Sequence, residues 1–570
     1  LTTLSMLLNA LIDRFERAKG MTPGESEYYQ LYIGRGSILK DYRPVLMLNK
    51  DIETFFRALL DGKENKLLIK FLSQKRLAQA YKLIAEWLDK QLVEEGESPA
   101  MTADKARDWI GIVTTRLGMI AYQPENDQEA GMMFEVINNR GKPLTELEKV
   151  KNYLIYYAIK RGGGRLKGLQ DRINQEWGTI LQNLALAHHM KDIDKQQLLR
   201  SAVIVHFGFR KQESNAAYNK LKEKFRLDSS GDAGEKKLDA FVEFLSDCSR
   251  YYEMLFNKDS EQRKIFCGGQ LKLVNVVDLI REQTAHSGVL PLYLCSMWLF
   301  DKKYMTTAEL LELLDAIERV NFRVYMLPVG SARADSGHGR LFDIAHTFYQ
   351  SMAGTASSND KRAAISRCHE SLYSFVKSYG HKTLDAFKAC FQLDVNNQNM
   401  DFAAWGGLRY FLANYEQSLD PTRTSIINLQ LKPNKAVRHN DYVQIEHIYA
   451  HQCAFHGPDP AQASYQKRRL GNLMLLEWGV NASFSNKPIE EKFKHLEENE
   501  IAAKRATLAQ TAEVITDFKR IFGASPELVI PNMSDEGRFE KYALLLDRIE
   551  DRLTDFAGER WAFAAEMEEI

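Results

Sequence analysis

The sequence predicts a mostly α-helical protein with small α+β parts, and three observations carry that reading. Long stretches place apolar residues three and four positions apart, the spacing of one helical face. Strand-like runs are few and short. Of the 570 residues, 45% are apolar and 27% charged, the balance of a soluble globular chain. At about 150 residues per domain, such a chain holds three or four domains. Breaks rich in Gly, Ser and polar residues fall at 229–237, 329–340, 352–362 and 394–401. They put the expected edges near 230 and 400, giving segments 1–230, 231–400 and 401–570.

In chain order, LTTLSMLLNALIDRF sets Leu4, Leu7, Leu8, Leu11, Ile12 and Phe15 on one helical face. It lacks the basic start and small-residue cleavage site of a secretory signal. DIETFFRALLDG, RLAQAYKLIAEWLDKQLVEE, LTELEKVKNYLIYYAIKR and TTAELLELLDAIERV repeat the amphipathic pattern. GVLPLYLCSMWLF, residues 288–300, is apolar all round. It is shorter than the roughly 20 residues a bilayer requires, and Pro291 interrupts it, so a core helix is expected and no membrane partner. Three strands are expected, at RLGMIAYQ (116–123), YVQIEHI (442–448) and LGNLMLLE (470–477).

Lys plus Arg and Asp plus Glu each number 76, which excludes a surface coated in positive potential but leaves room for local basic grooves. The six cysteines lie far apart with no Cys-x-x-Cys pair, which excludes a zinc ribbon and a disulfide framework and fits a reducing cytoplasm.

Chemistry concentrates toward the C-terminus. Glu446-His447 ends one expected strand, Asn472 opens the next, and Asn481 follows the turn at Gly479 and begins a run, 481–492, that reads as loop into helix. A metal-assisted phosphodiesterase of the His-metal finger kind needs few parts. One histidine takes a proton from water, and one hard divalent cation on carboxylate and amide oxygens stabilises charge on the phosphorane and leaving oxygen. A β-hairpin presenting the histidine, followed by a helix, supplies these parts in this order. Alone, His447 is an ordinary satisfied histidine and Asn481 a turn residue; the ordered set is what points to chemistry. His447 and His451 stand at i, i+4, but no HExxH order accompanies them, so zinc is not implied. His439 and His456 are expected in loops. Lys467, Arg468 and Arg469 either grip phosphates or form a solvated loop.

Toward the N-terminus, MMFEVINNRGKPLTELEKVKNYL holds a polar Asn139-Arg140-Gly141 turn before a helix. Thr145 and Glu148 have capping-box spacing at its start. A capped helix N-terminus beside Gly and Arg can take an anion, and it can equally be a plain helix-turn-helix. KRGGGRLKG lacks the Lys-Ser/Thr of a Walker A loop and is expected as a loop.

Together these motifs resemble the GmrSD-type DNA restriction enzymes. Glu-His-Ile, Gly-Asn-Leu-x-Leu-Leu and Asn-x-x-x-Ser-Asn-Lys with a trailing Lys are similar to that family's His-Asn-His nuclease domain. WGGLRYFLANYEQSL is similar to its opening helix. Phe-x-x-Ile-Asn-x-Arg-Gly-x-x-Leu-Thr, with Val-Lys-Asn-Tyr-Leu, resembles the second motif of its ParB/sulfiredoxin-like partner domain. The family's first motif usually precedes Leu-Thr-Thr-Leu, which here is the opening of the chain, so that motif is expected to be missing from this N-terminal domain. One departure stands out, Ala450 where the family usually has Pro, which relaxes a φ constraint without touching a catalytic atom.

The resemblance implies His447 as general base, Glu446 and Asn481 as ligands of Mg²⁺ or Mn²⁺, and Asn472 as the brace of the loop that aims His447. It nominates Lys487 and Lys492 for phosphate contact, Lys492 within the catalytic set. Asn138, Arg140, Gly141 and Lys151 become candidates for nucleotide binding, with GTP or ATP as substrate or regulator. The expected fold is a truncated ParB-like domain, a helical connector and a ββα-metal nuclease domain. The expected protein is a cytoplasmic DNA endonuclease of phage defence, gated by nucleotide and by the modification state of double-stranded DNA, with a homodimer allowed. A non-catalytic DNA-binding regulator and an RNA-cleaving toxin nuclease are the alternatives.

Overall fold

Apolar residues at helical spacing bury one face each, and the helices they form dominate the molecule. A computed structural model describes residues 1–35, 43–48, 50–62, 72–92, 98–118, 144–162, 167–189, 191–226, 233–354, 357–394, 400–420, 443–477, 481, 484, 486–503, 508–523 and 530–567. The chain divides into two units, Leu1–Lys142 and Pro143–Ile570.

In the first unit the opening helix Thr2–Ala18 packs against the helices Leu72–Leu92 and Pro99–Thr115. Its expected stripe faces inward: Leu8, Leu11 and Ile12 are buried, and Leu4, Leu7 and Phe15 pack around them. Asn9 is buried in the same face, and its Nδ2 donates to Leu60 O at 3.0 Å and to Tyr81 Oη at 2.8 Å. Those bonds offset the cost of burying an amide. At the expected strand 116–123, Arg116 instead caps the preceding helix and the described residues through 118 are not strand; the remainder lies outside the described residues. The paired strands described in this unit are Gly34–Arg35 and Arg43–Pro44, which run antiparallel.

The second unit has two hydrophobic cores. One joins helices from Glu146–Gly162 through Ser358–Tyr379. At its centre lies Leu290–Asp301, buried on every side as its uniformly apolar sequence requires. Position 230 lies between the helices Ala217–Lys224 and Ala233–Phe256, whose Leu221 and Leu238 belong to this same core. The second core wraps a hairpin near the C-terminus and includes Phe387, Phe411, Leu473, Leu475, Tyr542 and Trp561.

A buried polar node lies where the helices Thr307–Tyr325, Leu408–Leu419 and Asp535–Trp561 meet. Glu318 accepts from Arg560 at 3.0 Å, from Trp561 Nε1 at 2.9 Å and from the Tyr410 hydroxyl. Beside it, Arg323 pairs with Glu566. The six cysteines are buried and unpaired. Among the described residues, no helix is long and apolar enough to cross a membrane.

Candidate functional site

Alternating side chains and a long connecting loop fold 443–477 into a hairpin. Val443–His447 pairs antiparallel with Leu473–Glu477, and His447, last in its strand, lies opposite Leu473. The strand expected from Leu470 begins three residues later, because Leu470–Asn472 closes into a 3-10 turn. Gly471 is required there: a Cβ would collide with the Leu546 carbonyl oxygen and lie 3.0 Å from Glu550 Cβ.

Asn472, fully buried, laces the loop that follows His447. Its Oδ1 accepts from Tyr449 N at 2.6 Å, and its Nδ2 donates to Tyr449 O at 3.0 Å and Lys467 O at 2.8 Å. Its main-chain oxygen accepts from Ile448 N at 2.9 Å. Loop and strand are thereby locked on both sides of the histidine.

The helix Ile489–Ala503 follows the hairpin and buries Ile489, Phe493 and Leu496. The same helix carries Lys492 inward, with its side chain 2% exposed. Its Nζ donates to Glu446 Oε1 and to His447 O, each at 2.5 Å. Burial pushes the Glu446 carboxyl above its ordinary value, and the Lys492 charge opposes that rise. The His447 ring is pushed down to about 4, first by burial and then by His451 and Lys492, with Asp401 opposing. It is therefore neutral at pH 7. Its Nε2 is buried and has no hydrogen-bond partner.

Asn481 Nδ2 donates to Gln444 Oε1 at 2.5 Å. Gln444 and Glu446, two apart on a strand, share one face. The structure thus brings Glu446, His447, Asn472 and Lys492 into one connected cluster, with Asn481 against the same strand. Lys487 is half-buried just beyond Phe484, and Asn486 ties this segment to the histidine loop through Gln452 at 3.3 Å.

The donor chemistry suits a hard cation. The Glu446 carboxylate and the amide oxygens of Gln444 and Asn481 are the types of ligand Mg²⁺ or Mn²⁺ takes. Among the described residues, no three His, Cys, Asp or Glu side chains gather as a metal cage.

The basic triplet is arranged differently from the phosphate grip. Lys467 is buried, donates to His451 O at 3.0 Å and lies 4.6 Å over the Tyr449 ring. Arg469 is buried against the final helix, with Glu550 Oε2 at 2.7 Å and Asp547 Oδ1 at 2.5 Å. Both have internal partners in place of the phosphates expected of them. Arg468 is half-buried, bonding Ser464 O at 3.2 Å and Met400 O at 2.9 Å. Lys492, nominated for phosphate, is likewise committed to Glu446 and to the His447 carbonyl oxygen.

In the N-terminal set, Asn138, Arg140 and Gly141 lie outside the described residues, as does His439. Lys151 is half-buried on Glu146–Gly162. The capping box at the start of that helix is formed: Thr145 N donates to Glu148 Oε2 at 2.9 Å and Glu148 N to Thr145 Oγ1 at 3.3 Å.

Three residues went unassigned in the sequence. Gln444 holds Asn481, and its only local signal is its place two before Glu446. Asp401 stands 3.8 Å from His451 Nε2, a pairing with no local signal at all. His451 was visible only as the second of two histidines at i, i+4.

Comparison with known families accounts for both motif sets. Residues 1–155 match the GmrSD restriction endonuclease N-terminal domain, and residues 385–519 match the C-terminal domain of the GmrSD restriction endonucleases. The search of curated proteins gave no match. The two matched segments together span half of the sequence and contain both sets of motif residues, so the chain belongs to the GmrSD restriction endonuclease family.

Proposed function

We propose that the chain, as a member of a restriction endonuclease family, cuts DNA in defence against phage, by metal-dependent hydrolysis of the phosphodiester at the hairpin with His447 as the general base. The observation that carries this reading is the His447 imidazole itself: neutral and buried, with Nε2 lacking a partner, at the end of the strand that carries Glu446. A neutral ring is ready to accept a proton, and the charge of an arriving phosphodiester raises its basicity toward the working pH.

Glu446 and Asn481 would hold the divalent cation, which supplies charge stabilisation to the phosphorane and the leaving oxygen. Lys492 fixes the Glu446 carboxylate and the His447 main chain at once. Asn472 holds the loop so that the imidazole keeps its aim. His447 Nε2 receives the proton of the attacking water.

Nucleotide use belongs to the N-terminal segment, where Asn138, Arg140, Gly141 and Lys151 contact GTP or ATP. Functionally, 1–230 senses DNA state and nucleotide, 231–400 transmits, and 401–570 cuts.

Plasmid cleavage with and without Mg²⁺, nucleotide and phage-type base modification tests the whole reading. His447→Ala should lose about 10² to 10⁴ in rate with DNA binding retained. Asn481→Ala should recover in part at high Mg²⁺ or with Mn²⁺, and His447→Ala should not. Normal cutting by His447→Ala would falsify the assignment, and labelled RNA cut in place of DNA would turn it toward the toxin alternative.

A further inference from the structure

One cluster beside the hairpin is not used by the reading above: Asp401, His451 and the exposed side of His447. The His447 and His451 ring centroids are 4.8 Å apart, with the planes at 65°. His451 Nε2 faces Asp401 Oδ2 at 3.8 Å. The ring of His451 is 48% exposed, whereas His447 Nε2 is buried.

Each part is held from a different direction. Asp401 Oδ1 accepts from Ala403 N at 2.8 Å, capping the 3-10 turn Phe402–Ala404. The His451 main-chain oxygen accepts from Lys467 Nζ at 3.0 Å, and the next residue, Gln452, is tied to Asn486. Lys467, buried and not offered to solvent, therefore acts by fixing the position of His451.

The two rings have contrasting surroundings. His447 is enclosed, with its Nε2 buried. His451 is open to solvent, with the Asp401 carboxylate 3.8 Å from its Nε2. Rings this close, from one loop, can address two neighbouring oxygens of a single phosphate. The buried one meets the attacking water and the open one a non-bridging oxygen. Hydrolysis develops negative charge on the non-bridging oxygens as the water oxygen joins phosphorus. A hydrogen-bond donor fixed there before reaction is worth more than one recruited from solvent.

We infer that His451, placed beside Asp401, is a catalytic residue whose ring N–H binds a non-bridging oxygen of the scissile phosphate while His447 accepts the proton of the attacking water. The inference rests on the nuclease reading. The water O–H breaks toward His447 Nε2, the new P–O bond forms, and the P–O ester bond breaks with its electron pair on the sugar oxygen. The His451 proton stays on His451 throughout, so the residue stabilises charge without transferring a proton.

The test uses the full chain and ordinary plasmid DNA with Mg²⁺. His451→Ala should lower kcat by about 10², the usual cost of removing one pre-set donor to a developing oxyanion, with DNA affinity changed by less than about threefold. His451→Arg and His451→Lys supply N–H donors without the ring, and at least one should recover about tenfold of that loss. Asp401→Asn should fall between wild type and His451→Ala. Thermal melting of every variant should match wild type, since His451 is half-exposed.

A His451→Ala enzyme within about threefold of wild type overturns the inference. So does a loss that neither cationic variant recovers, which would make His451 a support for the His447 ring and not a contact to phosphate. Failure of the nuclease reading looks different, because His447→Ala would then cut like wild type whatever His451 does.

Discussion

Replacing Lys492 by Met removes one charge and little else. The lysine side chain is 2% exposed, and its Nζ sits 2.5 Å from both Glu446 Oε1 and the His447 carbonyl oxygen. Met keeps the stem but leaves the Glu446 carboxylate, 12% exposed, without that cation. Stranding one member of a buried pair costs about 3–5 kcal/mol, and the residual exposure of Glu446 puts the expected loss at the lower end, about 3 kcal/mol at pH 7. Burial already raises the Glu446 carboxyl, and the Lys492 charge opposes the rise. Without Lys492 the folded-state value climbs further. The folded variant then holds a proton that the unfolded chain releases, so its deficit is largest above the folded value. The deficit shrinks as pH falls toward the ordinary carboxyl value of 4.5. Calorimetric melts at about pH 7 and about pH 5 should show the gap to wild type closing on acidification. A variant that melts with wild type at neutral pH refutes the buried pair. A gap of equal size at both pH values refutes the stranded carboxylate.

Asn472→Ala removes three side-chain hydrogen bonds from a fully buried site, at about 1–3 kcal/mol for each group left unsatisfied. Cleavage should fall more than DNA binding, since the loop that aims His447 is released; equal losses in both would count against that role. Gly471→Ala forces the final helix away from the 3-10 turn and should cost at least about 1–3 kcal/mol, read by urea unfolding. Arg469→Met breaks the buried pair with Glu550, and with it the half-exposed one with Asp547, and should destabilise by about 3–5 kcal/mol. The salt dependence of DNA binding should stay unchanged in that variant, and a flatter dependence would restore Arg469 as a phosphate contact. Lys487→Ala should flatten the same plot by up to about 0.9 in slope, and an unchanged slope would remove Lys487 from the interface.

Where function depends on local order in the chain, the sequence was readable. Two apolar, β-favouring runs located the hairpin, and the run that follows Gly479 read as loop into helix. The long helices were readable for the same reason, because a repeating apolar face can be buried in few ways. Charge placement was not readable. Lys467 and Arg469 belong to a triplet that looks like a phosphate grip, and nothing nearby signals that Glu550 and Asp547 will meet Arg469. Lys492 likewise read as a free cation until the helix turned it toward Glu446. Asp401 and His451 meet only because a 3-10 turn and a hairpin loop converge. The Leu470–Asn472 turn shortened the second strand because Gly471 lies against the final helix, a contact set by tertiary packing.

The final helix, Asp535–Trp561, has a mechanical meaning beyond packing. Glu550 and Asp547 grip Arg469 at the base of the hairpin, and Arg560 and Trp561 are fastened to Glu318. Ten residues of unbroken helix separate Glu550 from Arg560, a rigid arm of about 15 Å. A tilt of about 5° at the Arg560 end carries Glu550 through about 1.3 Å. A displacement near 1 Å at reacting groups is enough to change a rate by about 10². The arm is thus a lever with its pivot among the connector helices and its load at Arg469, four residues before the strand that pairs with Val443–His447 begins at Leu473. A small rotation at the pivot end is delivered to the hairpin as a shift of that strand.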